Sequence, residues 1–595
     1  MTDYHLEDIY QGGFSSLNPD SGFKGYRIPT YQLGIATDPR TANILQEVST
    51  KLQTGAKQIE VSTIQPDVFE SIPNEQLKEV KRLSELTGID VSLHGIMVEP
   101  SGMTQQGFNE LAREETERQM LSNVLRSHEL SPKGNIPVTF HSSASIPGAE
   151  WKKEEGKEAT KERIPIINQE TGQVALVKTD IRYMPGMNEK ELEKGQKKSA
   201  EEFIGIRNFT EWSDSIANLV QIKERADRMI RDTEPLVNEI RQKLQSGEVK
   251  REDLGPNEKD FLNRYGNAKI ELDEIQRHLT ASFERAYKYG EEKGNKKQLI
   301  QISEEFGKAI RPRVDENGRL RPISLSEQSR AIDQLMGKLD QITPPEVYKP
   351  LDDFAIEKTA TTFGNVALKA YQKFHETAPI ISIENPPAGG GLARAEDLKN
   401  LVEMSRKKFV EKAVEGGMPE KEAQTAAEKM LGVTWDVGHI NMLRKFGFSE
   451  EDIIKESAKI APLVKHVHLS DNFGFEHTEL PMGMGNVPIQ KIMEKLGQKG
   501  FEAMKVIEAG NWWQHFKTSP FQQSLETFGS PIYGMKMAPY WNQAVTTQGY
   551  FSGYGQMLPQ INYETMGSGF SNLPAELGGQ RQTAGRSRMS GSPME

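Results

Sequence analysis

The chain has 595 residues, 36% of them hydrophobic, enough to bury a full-sized core and leave material for a second module. It contains no cysteine, so disulfides and thiolate-bound zinc are excluded, and any transition metal must be held by His, Asp and Glu. A formal charge of -11 argues against a broad, non-specific grip on nucleic acid while leaving room for a local basic groove, and no run approaches the ~18 consecutive apolar residues of a membrane span.

Residues 1–30 read as an N-terminal extension without the basic-then-apolar pattern of a secretory signal, so a cytoplasmic location with no membrane partner is expected. Short β-rich apolar runs then begin. YQLGIAT starts at 31, KQIEVST at 57, DVSLHG at 90 and IPVTFHSS at 136, with helical patterns such as NEQLKEVKRLSELTG between them. Four more runs follow much later: PIISIEN at 379, GVTWDVGH at 432, VKHVHLSD at 464 and AMKVIEAG at 503. Alternating βα units in this number predict an α/β fold, a (β/α)8 TIM barrel with strands 1 to 4 in 31–145 and strands 5 to 8 in 371–530. An open doubly wound sheet is the competing arrangement.

Between the fourth and fifth runs lie roughly 230 residues, where a βα crossover needs only a few tens. This large helical insertion, assigned to 146–370, opens with the hairpin-like IPIINQETGQVALV and continues with long charged helices. Ile216, Leu219, Ile222, Ala226, Met229 and Ile230 recur at helical spacing, as do Phe261, Tyr265, Ala268, Leu272, Ile275 and Leu279, which predicts an inserted helical hairpin. The module reads as a solvated helical unit rather than a nucleic-acid-binding arm. Insertions after a barrel strand emerge on the side where active sites lie, so it could cover or extend a substrate cleft. Residues 531–595 turn to Gly, Ser, Gln, Met and Tyr and are expected to form a flexible C-terminal tail; tail and insert are the candidates for docking an unknown protein partner.

Of the 11 histidines, His94, His141, His439, His466, His468 and His477 fall at or just past the ends of the proposed strands. Glu384, Asp436 and Glu508 end apolar runs, where an ionised carboxylate is costly unless paired or bound to metal. A lone strand-end His is more often a hydrogen-bonded structural residue than a ligand, but the convergence of so many on one rim of a barrel favours a site.

These residues resemble the endonuclease IV and sugar isomerase-epimerase superfamily, the xylose isomerase-like TIM barrels, and most nearly its endonuclease IV branch (AP endonuclease family 2). The resemblance lies in His94 of SLHG, His141 of FHSS, Glu384 of ENPPAGGG, Asp436 and His439 of WDVGH, His468 of HLSD followed by GMGN at Gly483 to Asn486, and Glu508 of VIEAG. It covers all eight strands but neither insert nor tail. In the nuclease branch an Asp-x-His pair precedes the Gly-x-Gly-Asn turn; His477 and Glu479 stand there instead, metal-capable but altered. The Gly-rich turn after Glu384 carries one extra residue and the stiff pair Pro386-Pro387.

The resemblance implies two or three zinc ions, with manganese as a substitute. Glu384 would bridge one ion held by His94 and His141 and another held by Asp436, His468 and Glu508, while His439, His477 and Glu479 would hold a third. It implies phosphodiester hydrolysis on nucleic acid, including abasic sites. A single-metal isomerase or epimerase of a sugar or its phosphate is the alternative, with Glu384 and Glu508 as catalytic proton shuttles; a binding protein with a lost active site is a third class. His466 reads as a residue lining the site or as packed core. Asp471 would orient a loop or a ligand, and the backbone amides from Gly389 onward form either an anion cradle or a tight turn. Trp512 and Trp513 would close the rim or stack on a base or sugar.

Overall fold

The computed structural model of the chain describes residues 32–183, 196–290, 295–314, 320–321, 323–510, 512, 519–521 and 524. The N-terminal extension and the C-terminal tail expected from sequence lie outside these residues. Chain contacts divide the molecule into two compact units, 1–160 with 352–595, and 161–351. No helix among the described residues is long and apolar enough to cross a membrane.

The first unit is the barrel. Its strands are β1 (Leu33–Ala36), β2 (Gln58–Ser62), β3 (Asp90–His94), β4 (Pro137–His141), β5 (Ile380–Glu384), β6 (Leu431–Asp436), β7 (Val464–Leu469) and β8 (Met504–Ile507). Each pairs in parallel with its sequence neighbour, and β1 pairs with β8, so the sheet closes on itself as a (β/α)8 barrel. The doubly wound alternative is therefore excluded.

Within a strand successive side chains point to opposite faces, and the sequence uses this alternation. Val91 and Leu93, Val138 and Phe140, Ile381 and Ile383, and Val433 and Trp435 are buried apolar residues at one parity; Ser92, His94, Thr139, His141, Ser382, Glu384, Thr434 and Asp436 occupy the other. Two contacts settle which parity faces in. Thr139 of β4 and Thr434 of β6 meet hydroxyl to hydroxyl at 2.9 Å across the intervening β5, which only inward side chains can do. Trp435, of the opposite parity, donates its indole N–H to Ser457 on the surrounding helix Glu450–Ile460 at 3.0 Å. From β3 to β6 the barrel interior is thus lined by hydrogen-bonding residues and the apolar layer lies outside, under the helices. One of these, α1 (Asn74–Thr87), buries Leu77 and Val80 and ends at Gly88, whose φ of 67° suits the left-handed cap.

The second unit begins with an antiparallel hairpin, Thr160–Asn168 against Val174–Lys178, as the IPIINQETGQVALV pattern predicts. Asn168 makes its turn, accepting backbone N–H bonds from Glu170 and Thr171 at 2.9 and 3.1 Å. Helix α2 (Ala200–Ser246) starts at a Ser199–Glu202 capping box, and α3 (Pro256–Tyr289) carries proline in its first turn. Ile216, Leu219, Ala226 and Ile230 of α2 join Tyr265, Ala268, Leu272, Ile275 and Leu279 of α3 in one buried cluster, with Ile222, Met229 and Phe261 packed at its edge. The predicted hairpin is present and is extended by α4 (Asn295–Ala309) and α5 (Leu325–Asp340), which add Leu299, Ile302, Ile332, Leu335 and Leu339 to the same core.

Candidate metal centre

Parallel pairing places the ends of neighbouring strands level: Glu384 lies beside His141, and Asp436 beside His468. Glu384 is fully buried at the centre of the resulting ring. One of its oxygens, Oε2, lies 3.4 Å from His94 Nε2 and 3.3 Å from His141 Nε2; the other, Oε1, lies 2.8 Å from His468 Nδ1. The same His468 nitrogen is 3.3 Å from Glu508 Oε1. Ligand atoms therefore converge in overlapping groups, each with all its members within 4.8 Å of one another: His94, His141 and Glu384; His94, His468 and Glu508; and Glu384, Asp436, His468 and Glu508.

His439, His477 and Glu479 stand beside this ring as a chain of contacts. His439 Nε2 meets His477 Nε2 at 2.8 Å, and His477 Nδ1 lies 3.7 Å from Glu479 Oε1. Among the described residues they do not converge as a three-ligand group in the way the other sets do.

Hydrogen bonds orient the histidines. His94 Nδ1 donates to the carbonyl of Gly95 at 3.1 Å and His439 Nδ1 to that of Asn385 at 2.7 Å, so both turn Nε2 toward the site. Asp436 caps the short helix Val437–Asn441, accepting the His439 backbone N–H through Oδ1 at 2.7 Å.

The charges are strongly coupled. Burial by itself would raise the carboxyl of Glu384, yet the neighbouring His468 and His141 rings hold it well below the ordinary carboxylate range. Against the effect of burial, Glu384 raises His94 to about 9 and His468 well above the ordinary histidine value. His439 goes the other way: burial lowers it to about 4, so it stays neutral. Burial also pushes the carboxyls of Glu508 and Glu479 up. A set of histidines and carboxylates that hold one another's protons so tightly is the pattern of a functional site.

One participant escaped the sequence reading. Glu60, in the middle of β2, is fully buried; its Oε2 accepts from Ser92 at 2.9 Å and lies 2.9 Å from His466 Nε2, and its Oε1 lies 3.2 Å from His468 Nε2. The available signal was a lone carboxylate between Ile59 and Val61 in an otherwise apolar run. His466, left between lining and core, is fully buried one layer below the rim on this glutamate.

The surrounding loops have plainer roles. Asp471 orients a loop: its carboxylate accepts the backbone N–H groups of Asn472, Gly483 and Val487 at 2.9, 2.8 and 3.0 Å, fixing the GMGN turn. The Gly-rich segment after Glu384 is a tight turn, with the Gly390 and Gly391 amides engaged by the carbonyls of Pro387 and Ile146. Trp512 is buried, and Trp513 lies outside the described residues.

Residues 421–527, which span β6 to β8, match the family model described as xylose isomerase-like TIM barrel. Over that stretch the chain is similar to xylose isomerase-like TIM barrels. An uncharacterized protein of Methanocaldococcus jannaschii is 31% identical over 83 residues, which is 14% of this chain and 27% of that relative's length. Two solved structures are similar to it as well. A D-tagatose 3-epimerase-like protein has a TM-score of 0.36 at 12% identity, over 85% of this chain and 99% of that one. An L-ribulose 3-epimerase has a TM-score of 0.36 at 9% identity, over 86% and 97%. In this barrel a cavity of about 180 Å³ opens over the carboxylate ring, lined by His94, Met97, His141, His477 and Glu508 among others.

Proposed function

We propose that the protein is a metal-dependent hydrolase that cleaves a phosphodiester in nucleic acid, as the endonuclease IV-like motifs imply. The observation that carries this reading is the double membership of Glu384, which belongs both to the group with His94 and His141 and to the group with Asp436, His468 and Glu508. One carboxylate shared by two ligand groups is the arrangement of a two-ion centre.

The residues fit such ions. Glu384 Oε2 and Asp436 Oδ2 are fully buried and lack a hydrogen bond, a costly state for carboxylate oxygens that a cation in reach relieves. With only nitrogen and oxygen donors and no cysteine, the set suits zinc, with manganese as a substitute. When bound, ions of this kind acidify water and offset negative charge that builds on a phosphoryl group. Glu384 would hold both groups together from the centre of the ring. His439, neutral from burial, and His477 would orient polar substrate atoms at the mouth of the cavity, beside Glu479, whose carboxyl burial pushes up.

A second reading is favoured by the size of the cavity. About 180 Å³ suits a small sugar or sugar phosphate better than an extended strand, and in such a substrate one of Glu384 and Glu508 would take a proton from the carbon beside the carbonyl and the other would return one to it, with a single ion holding the oxygens. His94 and His141 separate the two. The experiment assays wild type, His94→Ala and His141→Ala on an abasic-site duplex, a generic phosphodiester and a panel of ketoses and their phosphates, with the bound metal counted. Two ions per chain and metal-dependent cleavage that collapses in both variants are expected. Sugar interconversion that survives both substitutions, with one ion per chain and no cleavage, would overturn the hydrolase and leave the isomerase.

A further inference from the structure

Two site histidines hold one ring nitrogen against the backbone, and His468 differs from them in kind. Backbone carbonyls hold His94 and His439 at Nδ1. His468 instead turns Nδ1 toward Glu384 and Glu508 and Nε2 toward Glu60. Two fully buried atoms, His468 Nε2 and Glu60 Oε1, lack any other hydrogen-bond partner and face each other at 3.2 Å. At that separation a small reorientation of the ring lets the two satisfy each other, with the proton on Nε2. Glu60 cannot rotate away, because Ser92 and His466 hold its second oxygen. With Nε2 facing Glu60, Nδ1 is the ring nitrogen left to face Glu384 and Glu508, at 2.8 and 3.3 Å.

We propose that Glu60 is the positioning residue of the centre: it keeps a proton on Nε2 of His468 and so presents Nδ1 as the ligand atom. This inference rests on the metal-binding reading of the site. Carboxylate partners of metal-binding histidines are worth roughly 10–100-fold in affinity.

The test compares Glu60→Leu, which removes the acceptor, with Glu60→Gln, whose side-chain oxygen can still accept from Nε2 while its amide N–H faces His466. Zinc and manganese affinities are measured by chelator competition on the full chain, with circular dichroism as the check on folding. Affinity about 10–100-fold weaker in the leucine variant and within a few-fold of wild type in the glutamine variant is expected. Leucine at wild-type affinity, or glutamine losing as much as leucine, would overturn the proposal. A second measurement needs no metal: nitrogen-15 spectra of histidine-labelled, metal-free wild type, recorded above the pH at which the His468 ring becomes neutral, with His468 assigned by its loss in His468→Gln. A proton on Nε2 supports the proposal, and a ring protonated on Nδ1 alone refutes it. A wild type that takes up no ion but shows the Nε2 proton would retire the hydrolase while leaving the role of Glu60 in place.

Discussion

At the scale of single residues, the centre stores its charge in mutual stabilisation, and this has a pH signature in metal-free protein. His94 is raised from 6.5 to about 9 and His468 is raised well above 6.5, so their contributions to stability are complete below about 6.5 and are lost as pH climbs toward 9. Glu384 and Glu60 are lowered, so their contributions hold above 4.5 and vanish as pH falls. His439, lowered to about 4, adds to the loss on the acid side, since protonating it in the folded state is opposed by burial. The melting temperature of metal-stripped protein should therefore fall between pH 6.5 and 9, and saturating zinc should abolish that fall because the ion takes the place of the histidine protons. Scanning calorimetry across this range checks it; a metal-free melt that is flat or rising over the interval contradicts the coupling. The residues that converge at the rim were legible in the sequence because each ends a strand with a chemically distinct residue, as in SLHG, FHSS and WDVGH. Glu60 was not, because nothing local separates a buried glutamate in QIEVS from one that alternates out to solvent; only its contacts with β3 and β7 do.

At the scale of elements, alternation made the barrel readable. Apolar residues of one parity pack outward under helices, so all eight strands show as short apolar runs, and in β2 to β7 the polar positions between them line the interior. Helical periodicity exposed α2 and α3 in the same way, whereas α4 and α5 are shorter and acquire their meaning from a core that only the folded unit assembles. Loops obey no period, which is why the role of Asp471 had to come from three backbone N–H bonds. Asp471→Ala strands those donors, each worth about 1–3 kcal/mol when buried and unmet, so a destabilisation on the order of 3 kcal/mol is expected. Limited proteolysis should then cut first between about His477 and Val487, while the Glu384 group still takes up metal. An unaltered melt together with an unaltered digestion pattern would show that the turn holds itself.

At the scale of the whole molecule, the two compact units differ in how much of the chain each must gather. Residues 161–351 enclose their own apolar cluster, running from Trp212 to Ile342, and should fold when expressed alone, with a helical spectrum and a cooperative melt. A non-cooperative melt would mean that the unit depends on the barrel. The barrel has no such independence, because β1 pairs with β8 and β4 pairs with β5 across the insertion. During synthesis the outer edge of β4 emerges long before its partner: at roughly 5–20 residues per second, the ribosome needs on the order of ten to fifty seconds to deliver β5. Throughout that interval a half-ring of four strands, β1 to β4, waits with two open edges of the kind that invite pairing between nascent chains. The helical unit, rich in local contacts, can complete its own folding while the ribosome is still reading toward β5. The ring itself closes only when β8, near the end of the described chain, reaches a strand made at its beginning. Nascent chains on one messenger are therefore expected to carry open strand edges until β8 has emerged.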